Sequence, residues 1–92
     1  MSNVKVSFFG ILVKITGEKN IDIEALTIRD VINLLIARYG KEFEKAIYNE
    51  NGELKRFINI YVNGRDIRFL NYFDTKLNNG DEVSIIPAIG GG

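Results

Sequence analysis

The sequence predicts an α+β fold in which one main helix packs across a mixed sheet. Three observations predict it: strand-like alternation at both ends of the chain, a helical run of apolar residues over 28–39, and turn signals at Asn63-Gly64 and Asn78-Asn79-Gly80-Asp81.

Near the start, Val4, Val6 and Phe8 alternate with Lys5, Ser7 and Phe9, the period of a half-buried strand. Ile11 to Ile15 stays apolar and meets Gly17, which suggests a turn before a second strand near Asn20–Glu24 with Ile21 and Ile23 inward. The opening reads as a hairpin. Thr27 follows, with Asp30 three residues later: a hydroxyl placed to accept from a free helix amide, and a carboxylate that suits the helix dipole. Ile28, Val31, Ile32, Leu35 and Ile36 recur at helical spacing, and Gly40 marks the stop. A shorter helix is predicted around Glu42–Tyr48 with Phe43 and Ile47 buried, closed by Asn51-Gly52.

Phe57 to Val62 alternates again, with Ile58, Ile60 and Val62 on one face, and Asn63-Gly64 supplies a tight turn. Asp66 to Leu77 is a longer connection. The last strand is predicted over Glu82–Ile86, Val83 and Ile85 inward, with Pro87 stopping the ladder for want of an amide hydrogen. Strand, strand, helix, short helix, strand, connection, strand is the β-grasp order, in which the final strand lies beside the first. Val4, Val6, Phe8, Ile58, Ile60, Val62, Val83 and Ile85 are then expected to face the helix.

Composition excludes several kinds of chemistry. Twelve basic side chains balance twelve acidic ones, so no global field draws the chain to nucleic acid or to anionic lipid. Without cysteine there is no disulfide, thiolate nucleophile or iron–sulfur ligand, and without histidine the usual neutral-pH acid/base is missing. No metal or bound cofactor is expected. Asp81 and Glu82 adjoin, but successive strand side chains point to opposite faces, so they form no acid/base pair and are expected to end the turn facing solvent. Met1-Ser2-Asn3-Val4-Lys5 lacks the apolar core of a signal peptide, and no apolar run is long enough to span a membrane. A cytoplasmic setting is the expectation.

Beyond Pro87 the chain reads Ala88-Ile89-Gly90-Gly91-Gly92. Five residues reach roughly 17 Å when extended, at about 3.3–3.6 Å each. Three glycines carry no side chains, so such an arm fits a channel too narrow for other sequences. Residues 1–87 are therefore read as the folded domain and 88–92 as a flexible tail. A frayed terminus or a fusion scar would also end in glycines.

Val62-Asn63-Gly64-Arg65-Asp66-Ile67, then Leu77-Asn78-Asn79-Gly80-Asp81-Glu82-Val83 and the run to Gly92, resembles the MoaD family, the small sulfur-carrying subunits of molybdopterin synthase. Val4-Lys5-Val6-Ser7-Phe8-Phe9-Gly10 resembles that family's first strand. Gly91 and Gly92 stand at its terminal pair, with Gly90 where alanine is common and Ala88 in place of a second proline. The resemblance implies a ubiquitin-like fold and a carrier that is not catalytic alone. An E1-like (MoeB-like) enzyme would adenylate the Gly92 carboxylate with ATP, and a sulfur donor would convert it to a thiocarboxylate. A MoaE-like large subunit would then receive the tail for molybdenum cofactor biosynthesis.

Alternation further places Phe9, Tyr61 and Ile86 on the face away from the helix. With Pro87, Ile89 and Gly90 they form the expected partner-binding set at the root of the tail. Related carriers pass sulfur to tRNA or become attached to lysines as ubiquitin-like tags, and nothing in the glycine run separates these fates. The thiamin-pathway carrier ThiS fits less well, being shorter, without room for 41–56 and 66–77. A β-grasp binding module with no carrier role is the alternative from another class.

Overall fold

The computed structural model describes residues 2–88. Its sheet is built around β1 (Ser2–Phe8), which pairs antiparallel with β2 (Asn20–Ala25) on one side and parallel with β5 (Glu82–Pro87) on the other. Beyond β5 come β3 (Ile58–Val62) and the two-residue β4 (Arg65–Asp66), both antiparallel to their neighbours, for an order of β2-β1-β5-β3-β4. This is the mixed sheet of a ubiquitin-like β-grasp fold.

One face is covered by α2 (Ile28–Tyr39), with α1 (Ile11–Thr16) and α3 (Lys41–Ile47) closing the core's end. Helix α2 starts as its sequence predicts. The Thr27 hydroxyl accepts from the Asp30 amide at 3.2 Å, and the Asp30 carboxylate accepts in return from the Leu26 amide at 3.1 Å. All eight side chains expected to face the helix are buried, from Val4 and Val6 through Ile60 to Val83 and Ile85. Each such branched residue contributes about 1.5–3 kcal/mol by leaving water, which makes this face the source of the fold's stability. Phe8, Tyr39 and Phe43 meet across α2 and α3, with Phe8 edge-on to both at centroid distances of 6.0 and 6.2 Å.

Two elements differ from expectation. The run after Gly10 is helix α1 rather than a turn, because Leu12 is buried from a helical position while its neighbours pack only partly. The β1–β2 hairpin therefore carries a short helix at its bend. Pro87, too, stays in the ladder, opposite Ile58, instead of stopping it. Ala88 donates to the Phe57 carbonyl at 2.6 Å, so Ile58 and Pro87 are a non-hydrogen-bonded pair and β3 asks nothing of the proline nitrogen. On its other side the pairing with β1 ends at Phe8 and Ile85, where a missing hydrogen costs no ladder bond. The connection after β4 contains two 3-10 turns, Ile67–Phe69 and Tyr72–Asp74. Among the described residues no helix is long and apolar enough to cross a membrane.

Candidate functional site

The end of β5 is where the predicted tail begins, so the site is built from the residues that hold that end. Parallel pairing of Val6 with Val83, Ser7 with Ser84 and Phe8 with Ile85 brings β1 and β5 out at the same edge of the sheet. There β1 turns sharply. Gly10 has φ 57° and ψ −133°, and the Leu12 amide donates to the Phe9 carbonyl at 3.1 Å, which together make a type II′ turn. Glycine is required twice over at this corner. Few L-residues adopt that backbone, and a Cβ would stand 3.1 Å from Cγ of Pro87. Pro87 thus rests directly on the Gly10 backbone, and the chain leaves the sheet between this turn and Phe57.

Around the exit the surface is apolar. Phe9 is 43% exposed, Ile11 46% and Phe57 57%, while Ile86 and Pro87 are half-buried. Of the partner set predicted from sequence, Phe9, Ile86 and Pro87 are brought to this corner by the β1–β5 register. Tyr61 shares the outer face but lies opposite Ser84, diagonal to Ile86, whose own partner across the ladder is Asn59. Ile89, Gly90, Gly91 and Gly92 lie outside the described residues.

Sequence reasoning missed three exposed apolar residues here or nearby. Phe57 has the parity of Asn59 and Tyr61, a signal that was available. Ile11 became visible only once α1 was known to be helical. Phe69, 82% exposed, sits in a 3-10 turn with no readable period. Its neighbour Arg68 ties that turn to β3, donating to the Asn59 side chain at 2.8 Å and to the Ile58 carbonyl at 3.2 Å.

The opposite end of β5 is polar and closed. Asp81 does not simply face solvent: its carboxylate accepts from the Asn78 amide at 2.7 Å and from the Asn63 side chain at 2.9 Å. Asn63 in turn accepts from the Glu82 amide at 2.9 Å. These turn residues are a structural clip, as their sequence context implied. Among the described residues no three potential ligands group to hold a metal. Tyr39 and Tyr48, whose hydroxyls burial pushes above their ordinary pKa, belong to the helical side. Among the described residues the exit corner offers shape and apolar contact.

Comparison with known proteins bears on the family and the fold. The family model described as ThiS family matches residues 6–92. That span includes 41–56 and 66–77 and agrees with the resemblance to small β-grasp sulfur carriers. A putative sulfur carrier protein of Archaeoglobus fulgidus is 46% identical over 76 residues, 83% of this chain and 85% of that one. The sulfur carrier protein CysO of Mycobacterium tuberculosis is 40% identical over 92 residues, covering 98% of this chain and 99% of its own. Among solved structures, small archaeal modifier protein 1 of Methanosarcina acetivorans superposes with a TM-score of 0.87 at 31% identity, over 100% of this chain and 98% of that one. The Amycolatopsis orientalis BexX/CysO complex gives 0.81 at 36% identity, over 97% and 99%. The chain belongs to the ThiS family of β-grasp sulfur carriers.

Proposed function

We propose that this chain carries sulfur on its own terminal carboxylate, that of Gly92, and catalyses nothing alone. The observation that most supports this reading is the seating of Pro87 on Gly10 beside exposed Phe9, Ile11 and Phe57, which puts the end of β5 next to a surface suited to a partner. Residues 88–92 act as a flexible arm with Gly91 and Gly92 at its narrow tip. In the first step the carboxylate oxygen attacks the α-phosphorus of ATP held by an E1-like enzyme, and pyrophosphate leaves. In the second a hydrosulfide ion attacks the acyl carbon, AMP leaves, and loss of the sulfur's proton gives a thiocarboxylate. Phe9, Ile86 and Pro87, with Ile89 and Gly90 beyond them and Tyr61 at the margin, are the contact surface for the activating enzyme and then for the acceptor. The ATP-dependent step assigns the reaction to the cytoplasm.

Two kinds of fate are open to the activated chain. The run from Gly80 to Gly92 supports delivery to a pterin precursor, with this chain as the small subunit of molybdopterin synthase beside a MoaE-like large subunit. The likeness to CysO and to an archaeal modifier supports other fates: sulfur delivery to another acceptor such as tRNA, or attachment of the chain itself, in which a lysine nitrogen attacks the activated acyl carbon and the leaving group departs.

The test is an intact mass after incubation with an activating enzyme, ATP and a sulfur donor, beside a control lacking Gly91 and Gly92. Exchange of one oxygen for sulfur in the full chain alone establishes the carrier. Offering the product a pterin precursor with the large subunit, or a tRNA, and offering the activated chain a lysine-bearing protein, then identifies the acceptor. No exchange with several competent activating enzymes would favour the non-carrier binding module.

A further inference from the structure

Among the described residues strand β2 forms one edge of the sheet, with no strand beyond it. Its alternation can be followed from a single bond: the Phe8 amide donates to the Lys19 carbonyl at 2.8 Å, so Lys19, Ile21, Ile23 and Ala25 turn their backbone groups toward β1. Asn20, Asp22 and Glu24 turn theirs away from it. Their side chains lie on the outer face and are all exposed. On the inner face an open groove of about 450 Å³ runs between β2 and α2, lined by Ile23, Leu34, Leu35 and Ala37 with Glu24 and Arg38 at its rim. Leu34 is 44% exposed there.

The charges beside this edge are unequal in their commitments. Arg38 is paired with Glu18 at 3.6 Å and stacks over Tyr39 at 5.6 Å. Asp30 accepts from the Leu26 amide. Lys5 stands opposite Asp22 across the ladder, yet among the described residues neither Asp22 nor Glu24 has an ion-pair or side-chain hydrogen-bond partner. A free row of backbone donors and acceptors therefore has uncommitted carboxylates on one side and an apolar groove on the other.

We propose that this edge takes an extended peptide in which basic and apolar residues alternate, added to the sheet as a sixth strand. Period two sends alternate side chains of the incoming strand to opposite faces. Its basic groups then meet Asp22 and Glu24, and its apolar groups fill the groove over Ile23 and Leu34. A second copy of this chain is the poorer occupant, because antiparallel β2–β2 pairing sets these carboxylates against their own counterparts. The site lies across β1 from β5 and stands independently of the carrier chemistry.

The probe is a heptapeptide of alternating lysine and valine, titrated into the isotope-labelled full chain and compared with its glutamate–valine counterpart. Slowed hydrogen exchange at the Asn20, Asp22 and Glu24 amides, together with methyl shifts at Ile23 and Leu34, is the expected result. The glutamate peptide should bind at least about tenfold more weakly, since two opposite-charge pairs become like-charge pairs. The double variant Asp22→Lys/Glu24→Lys should invert that preference, and Leu34→Ala should weaken the lysine peptide while leaving both carboxylates in place. Unprotected edge amides under a large peptide excess overturn the proposal. So does equal binding of both peptides, or concentration-dependent pairing of β2 with β2 in its place.

Discussion

Strand β5 has two ends that are held in opposite ways. At its start, polar groups satisfy one another: the Asn63 side chain donates to Asp81 and accepts from the Glu82 amide, the Gly80 amide donates to the Asn3 carbonyl at 2.8 Å, and the Asn3 amide to the Asn79 side chain at 2.8 Å. At its finish, one backbone bond from Ala88 and the contact of Pro87 with Gly10 hold the chain, while Phe9, Ile11 and Phe57 remain exposed. The first end has used its polar groups internally and has little left for a partner. The second has its backbone satisfied and apolar side chains to spare, which is the condition for an interface. A single strand thus carries anchorage at one end and presentation at the other.

Substitutions along β5 sharpen or break that contrast. In the middle, Ile85→Ala removes a fully buried side chain paired between Phe8 and Ile60, and should cost about 2–5 kcal/mol in urea unfolding. At the anchored end, Asn63→Ala loses both clip bonds and leaves an alanine at φ 51°, for about 2–3 kcal/mol by the same measurement. A loss there near zero would mean the clip is ornamental and the comparison fails. At the presenting end, Phe9→Ser with Ile86→Ser should cost about 1–2 kcal/mol, less than the core change. It should weaken binding to the activating enzyme by about 2 kcal/mol, read by titration calorimetry; unchanged affinity would remove this corner from the interface.

The smallest effects separate the two ends most finely. Gly80 (φ 90°) and Gly10 (φ 57°) both have positive φ, and the backbone strain of alanine at either should cost about 1–2 kcal/mol, with the contact on Pro87 added at Gly10. A Cβ at Gly80 meets nothing within 4 Å, whereas one at Gly10 presses on Pro87. Thiocarboxylate formation should therefore slow in Gly10→Ala and stay unchanged in Gly80→Ala. Equal rates would show that the seat under Pro87 does not aim the tail.

Much of the fold was legible because its patterns are local. Period two in Val4–Phe8, Ile58–Val62 and Val83–Ile85 named the inward face, and the Thr27–Asp30 spacing named the start of α2. Ile11–Ile15 was misread because a short apolar run has too few residues to reveal its period. Pro87 was misread because its consequence depends on which side of the ladder its nitrogen faces, and only the register with Ile58 decides that. The candidate site divides along the same line. Alternation could place Phe9, Tyr61 and Ile86 on the outer face, but the distance of Tyr61 from the corner required the strand order.

The sequence by itself excluded cysteine and histidine chemistry and set a β-grasp pattern followed by a run of glycines. These follow from composition and short-range order, which need no folded partner to be read. Tertiary structure alone decided that Gly10 lies beneath Pro87, 77 residues away in the chain, and that, among the described residues, β2 is an edge with its carboxylates uncommitted. Both are relations between distant segments, set by strand order and register, and no local pattern encodes them.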